Sequence, residues 1–100
     1  LPGDLDHVFF SESGSVSVEI AMKMAVQYWI NKGQKGRHRF VSFRFGYHGD
    51  TLAAMSVCDP DEGMHGLFKG YLPQQIIADV PRTKEQQAAF VRLLRARDAR

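Results

Sequence analysis

A short apolar run, Phe9-Phe10, passes through the small-residue turn Ser11-Glu12-Ser13-Gly14-Ser15 into a periodic segment that begins at Val16. This pattern predicts a strand that ends in a tight turn and opens directly into a helix. The first amides of a helix have no acceptor within it, and the dipole adds partial positive charge, so such a junction suits an anion such as a phosphate. Gly14 lets the backbone approach a ligand without a Cβ in the way, and the Ser13 and Ser15 hydroxyls can donate without adding charge. The same residues also fit an ordinary helix N-cap, where serine is favoured.

From Val16 to Lys32 the polar residues Glu19, Lys23, Gln27 and Asn31 recur at every fourth position, while Val16, Ile20, Met24 and Tyr28 occupy another face. The spacing predicts a helix with one narrow wet stripe, ended by Gly33. Glu19 and Lys23 stand in the favourable i,i+4 order and are expected to form a surface ion pair. So broad an apolar surface predicts burial on several sides, with Met22, Met24, Tyr28 and Trp29 in a core or an interface.

Next, Val41, Phe43 and Phe45 alternate with Ser42 and Arg44, which predicts a strand within 39–45. Gly46-Tyr47-His48-Gly49-Asp50-Thr51 reads as a turn, in which Asp50 or Thr51 can cap a short helix through Leu52-Ala53-Ala54-Met55. Arg44 can meet an anionic group or lie along the strand edge. Residues 58–66 have loop chemistry, Ile76-Ile77-Ala78 is extended, and Thr83-Lys84-Glu85-Gln86 matches a capping box before an amphipathic stretch. A strand, helix, strand, helix order with an anion-type turn suggests an open parallel sheet whose ligand lies at the strand ends.

The chain of 100 residues, 44% of them apolar, is large enough for one modest core and no more than one domain. With 13 basic against 11 acidic residues the balance gives no reason to expect nucleic acid or an anionic membrane as partner. Arg92, Arg95, Arg97 and Arg100 read as a solvated helix face. Cys58 is the single cysteine, which rules out an internal disulfide framework and fits a reducing, cytoplasmic location. His7, His38, His48 and His65 are scattered without metal-ligand spacing, so no metal site is expected. Ser13 and Ser15 lack the frame of a nucleophile elbow. The sequence starts at Leu1-Pro2-Gly3 and stops within a helix-like pattern, which reads as one partial segment, residues 1–100, of a larger domain.

Ser13-Gly14-Ser15, Glu19, Ala21-Met22-Lys23, Tyr47-His48-Gly49-Asp50-Thr51 and Ala54-Met55-Ser56, in this order, resemble the class III family of pyridoxal-phosphate aminotransferases. The resemblance runs from about Val8 to Pro81. Within the family, the runs from Met22 to Trp29 and from Met55 to Pro60, with Met64-His65 and 69–73, are similar to the branch of biotin synthesis that uses S-adenosylmethionine. That branch passes the amino group of this donor to 8-amino-7-oxononanoate and forms 7,8-diaminopelargonate. What the resemblance implies is an α/β fold: part of the large cofactor domain of a fold-type I aminotransferase, mostly parallel sheet with helices on both faces.

The resemblance further implies pyridoxal 5'-phosphate as cofactor, with Gly14 and Ser15 at its phosphate and Tyr47 against its ring. Tyr47 and Asp50 are implied near the substrates, where a carboxylate suits their amines; Asp50 equally fits a helix cap. A homodimer is implied for the full-length form. The Schiff-base lysine and the acidic partner of the pyridine nitrogen belong to a later part of the family pattern, and Lys23, Lys32, Lys35, Lys69 and Lys84 do not match it. No catalytic residue is therefore expected in this segment, which should be silent alone. The alternatives are an ω-amino-acid or ornithine-type enzyme of the same family, or a non-catalytic phosphate-binding module.

Overall fold

A computed structural model describes residues 1–61 and 64–98. Its longest element is the helix α1, Gly14–Asn31, which starts where Ser13 takes the N-cap position and its Oγ accepts from the Val16 amide at 3.2 Å. The helix ends in a Schellman motif. The Gln34 amide donates to Trp29 O at 2.8 Å and the Gly33 amide to Ile30 O at 2.9 Å. Gly33 adopts φ 80, a left-handed conformation that costs glycine little.

The strands β1, Val41–Phe43, and β2, Ile76–Ala78, pair in parallel, with Val41 opposite Ile76 and Phe43 opposite Ala78. Parallel strands need a crossover, and here it contains the short helix α2, Leu52–Ser56, and a 3-10 turn over Met64–Phe68, where the residue chemistry predicts only loop. Beyond the ladder, Ile76 N donates to Phe40 O at 2.9 Å and Arg44 N to Ala78 O at 2.8 Å. The last helix, α3, spans Lys84–Asp98. Its capping box forms as expected: Gln86 N donates to Thr83 Oγ1 at 3.1 Å, and Gln86 Oε1 accepts from Thr83 N at 3.3 Å. Arg92, Arg95 and Arg97 on α3 are exposed, and Arg100 lies outside the described residues.

The α/β class and the parallel pairing agree with the sequence; three local expectations do not. Residues 8–10 form no strand, and Phe9 and Phe10 are exposed. A strand exists only through its ladder, and among the described residues β1 and β2 pair with each other alone. The strand at 39–45 is shortened to β1, in which Ser42 is buried while Val41 and Phe43 stay partly exposed. Helix α1, for its part, has no fully buried residue, and Met24 and Tyr28 are about half exposed.

The core sits instead around α2, in Ala54, Met55, Val57, Cys58 and Ala78, together with the polar Ser42, Ser56 and Asp59. Small side chains let α2 lie close to α1. Ser56 and Asp59 are tied in by hydrogen bonds, as burial demands, whereas the buried Ser42 hydroxyl meets no hydrogen-bond partner among the described residues. Ser56 Oγ donates to Ala53 O at 2.6 Å and accepts from Gln75 Nε2 at 3.2 Å. No helix is long and apolar enough to cross a membrane among the described residues.

Candidate functional site

Two loop-to-helix junctions meet at one end of α1. The first is Ser13-Gly14-Ser15, opening α1; the second is the loop Gly46–Asp50, opening α2 at its N-cap residue Thr51. They touch because Gly49 has no side chain. Its φ is 126, and a Cβ there would stand 2.7 Å from Ser15 Cα and overlap the Ser15 side chain. Across this contact Thr51 N donates to Ser15 Oγ at 3.1 Å, and the Ser15 and Thr51 hydroxyls lie 2.8 Å apart.

Glu19 completes the joint. Its carboxylate accepts from Thr51 Oγ1 at 2.8 Å, Ala53 N at 3.2 Å and Ala54 N at 3.0 Å. The anticipated surface pair with Lys23 is thereby replaced, because the partly buried carboxylate finds three fixed donors at the orphan end of α2, a stronger offer than one mobile exposed ammonium. This also answers how α2 is capped: Thr51 occupies the N-cap without a side-chain cap bond, and Glu19 supplies the acceptor from another helix. Asp50 is not the cap.

Asp50 instead faces Tyr47, whose hydroxyl donates to Asp50 Oδ1 at 2.9 Å. This bond holds the Tyr47 phenol above its usual pKa; partial desolvation and the nearby Asp50 charge add to the shift. Both side chains remain exposed, with the Tyr47 ring open to solvent.

The loop carrying them is anchored from behind. His48 N donates to Cys58 Sγ at 3.2 Å, and Cys58 Sγ donates to Ala54 O at 3.2 Å. Asp59, only 3% exposed, accepts from Phe45 N at 2.6 Å and Asp61 N at 2.9 Å. Its own amide donates to Gly46 O at 2.9 Å. These bonds hold Phe45 at φ 66, a left-handed conformation unfavourable for an aromatic residue. Arg44, next to it, donates through Nε to Asp79 Oδ1 at 2.8 Å and lies 3.4 Å from Asp61 Oδ2. The Asp79 hydrogen bond and charge raise the guanidinium pKa further.

An open concavity of about 680 Å³ results, walled by Gly14, Ser15 and Val18 on one side and Tyr47, His48, Gly49, Asp50 and Thr51 on the other. Gly14, Ser15, Tyr47 and Asp50, the residues singled out in the sequence, all border it. Among the described residues no protein acceptor meets the Gly14 or Ser15 amide. A Cβ added at Gly14 would meet nothing within 4 Å. These features fit an anion at the head of α1 with an aromatic face opposite. A smaller cavity of about 200 Å³, between α2 and the segment 66–77, is walled by Met55, Cys58, Lys69 and Leu72 among others and contains none of the four.

Comparison with known proteins resolves the family. The sequence profile described as "Aminotransferase class-III" matches residues 1–98. The chain belongs to the class-III aminotransferases. Over 82 residues it is 56% identical to the adenosylmethionine-8-amino-7-oxononanoate aminotransferase of Mycobacterium leprae, covering 81% of this chain and 19% of that protein. The protein of the same name from Corynebacterium glutamicum is 59% identical over 76 residues, 76% of this chain and 18% of the relative.

Among solved structures, the adenosylmethionine-8-amino-7-oxononanoate aminotransferase of Methanocaldococcus jannaschii superposes with a TM-score of 0.76 at 44% identity, covering 86% of this chain and 19% of that one. A PLP-bound amine transaminase from an uncultivated Pseudomonas species gives 0.69 at 36% identity, over 89% and 22% of the two chains. The class-III segment thus spans about a fifth of the length of the curated relatives it matches.

Four residues of this site were missed as site-builders by sequence reading: Glu19, Gly49, Thr51 in its bond to Ser15, and Asp59. Each acts across a long loop or between helices, as in the Glu19–Ala54 bond, and local periodicity says nothing about such partners. A signal was nonetheless present for Gly49. A glycine between a polar pair in a turn, with a serine-glycine turn elsewhere, is compatible with close backbone approach.

Proposed function

We propose that the full-length protein is a pyridoxal-phosphate-dependent aminotransferase of biotin synthesis, and that this segment provides part of its cofactor site. The reaction is transfer of the amino group of S-adenosylmethionine to 8-amino-7-oxononanoate, giving 7,8-diaminopelargonate. The observation that carries the reading is 56% and 59% identity to relatives of that name over roughly four-fifths of the segment.

In this reading the Gly14 and Ser15 amides bind the cofactor phosphate at the start of α1, and the Tyr47 ring lies against the pyridine plane. Bound pyridoxal phosphate supplies an electron sink for breaking the C–H bond beside the substrate amine. Tyr47 fixes the orientation of that sink, since only a bond perpendicular to the ring plane is weakened. Asp50, exposed beside the Tyr47 hydroxyl, offers a carboxylate to the cationic amines of the donor and the product.

None of the five lysines borders the 680 Å³ concavity, which supports a covalent anchor of the cofactor elsewhere in the polypeptide and a segment inactive alone. The protein acts in the cytoplasm as a homodimer, for which the half-exposed Met24 and Tyr28 on α1 offer apolar surface.

Donor competition with the purified full-length protein tests this. Product should form with S-adenosylmethionine as amino donor and not with ornithine or β-alanine. Use of ornithine or β-alanine with S-adenosylmethionine ignored would overturn the branch assignment and leave an ω-amino-acid or ornithine-type enzyme of the same family.

A further inference from the structure

Glu19 faces three donors, and the direction of each bond can be assigned. The Ala53 and Ala54 amides can only donate, at 3.2 and 3.0 Å, so both carboxylate oxygens act as acceptors. A carboxylate has no hydrogen to give, so Thr51 must direct its single hydroxyl hydrogen to Glu19 across the 2.8 Å contact. The adjacent Ser15–Thr51 contact, also 2.8 Å, then has one possible polarity: Ser15 donates and Thr51 accepts. Thr51 N donates back to Ser15 Oγ at 3.1 Å. The Ser15 hydroxyl hydrogen is therefore directed inward, toward the joint, and not into the concavity.

We infer that Glu19 is a positioning residue of the anion site: it orders a Ser15-to-Thr51-to-Glu19 hydrogen-bond chain that locks the two walls together and presents the Gly14 and Ser15 amides, rather than the Ser15 hydroxyl, to a phosphate. The inference rests on the proposed cofactor reading and adds a residue that lies outside the lining of the concavity. A glutamine at this position reproduces the shape but not the polarity. Its amide nitrogen would confront either the Ala53 or the Ala54 amide, donor against donor, and the joint would have to open.

The test measures binding of pyridoxal 5'-phosphate and, separately, of pyridoxal, which lacks the phosphate, to the full-length protein by absorbance or fluorescence titration. Wild type should prefer the phosphorylated form. In Glu19→Gln its affinity should fall about tenfold, the scale of one lost charge-assisted hydrogen bond, with pyridoxal affinity within about twofold of wild type. Glu19→Asp, which keeps the acceptor charge but shortens its reach, should show the same selective loss to a smaller extent, and it decides the matter if the glutamine variant does not fold. Unchanged affinity for the phosphorylated form, or an equal loss for both compounds, would overturn the positioning role. A wild type that does not distinguish the two compounds would instead overturn the anion site itself, which keeps the two failures apart.

Discussion

The joint between α1 and α2 and the outer parts of the chain are built on opposite terms. At the joint, small residues and polar atoms do the holding: Gly49 against Ser15, Glu19 on the α2 amides, Asp59 on the Phe45 turn, with Ala54 and Cys58 beneath. In the outer parts, large apolar side chains lie open, among them Phe10 at 88% and Leu67 at 89% exposure. The radius of gyration of 15.1 Å exceeds the roughly 13 Å of a compact domain of this length. A self-sufficient domain would bury its phenylalanines first. This segment organises the joint internally and leaves large apolar side chains exposed, and it spans about a fifth of the length of the relatives it matches.

The largest expected effect falls on the joint. Gly49→Val forces a branched side chain into Ser15 at a φ of 126, and the full-length protein should lose roughly 3 kcal/mol or more from strain and overpacking, read as a fall in the urea midpoint. Gly14→Val is the contrast: its Cβ meets nothing within 4 Å, so stability should hold while pyridoxal-phosphate retention weakens. Equal loss of stability in both variants would mean that the concavity is ordinary packing space.

Asp59→Ala comes next. It removes the acceptor of the Phe45 and Asp61 amides inside the protein, and should cost about 2 kcal/mol in denaturant unfolding. Without that acceptor Phe45 has less reason to hold its left-handed conformation, so the Tyr47 loop should also exchange its amide hydrogens faster.

On the outer surface, Phe10→Ser separates two explanations of exposure. If the rest of the polypeptide covers Phe10, the full-length protein should lose about 2 kcal/mol, the scale of one buried aromatic side chain. A change within about 0.5 kcal/mol would mean that the arm is exposed in the whole protein as well.

The same contrast explains what could be read from the sequence. Gly33 and the Thr83–Gln86 box were legible because their partners lie within a few residues, and local chemistry determines both. Among the candidate site residues, Gly14 and Ser15 stand out from the turn that opens a helix and Tyr47 and Asp50 through motif resemblance, and all four border one concavity. The partners of Glu19 were not legible: its i,i+4 neighbour Lys23 is visible in the sequence, whereas the Ala53 and Ala54 amides come into reach only after the chain has folded back. Which face of the strand is buried was not legible for a related reason. Alternation identifies two faces, but which one is buried depends on what packs there, and in β1 the Ser42 side does.

The smallest effect tests the link between the two proposed substrate-side residues. Ionising the Tyr47 phenol would abolish its donation to Asp50 and place two negative charges side by side, so its pKa is raised above the ordinary value of about 10. The bond's contribution to stability is accordingly complete below that ordinary value and is lost only as pH rises through the raised one, which leaves neutral-pH behaviour untouched. Difference absorbance titration of wild type against Tyr47→Phe isolates this tyrosinate. In Asp50→Ala its midpoint should move down toward the ordinary phenol range. A midpoint that stays raised without Asp50 would assign the shift to desolvation, and the pair would then act as two independent groups on the wall rather than one oriented unit.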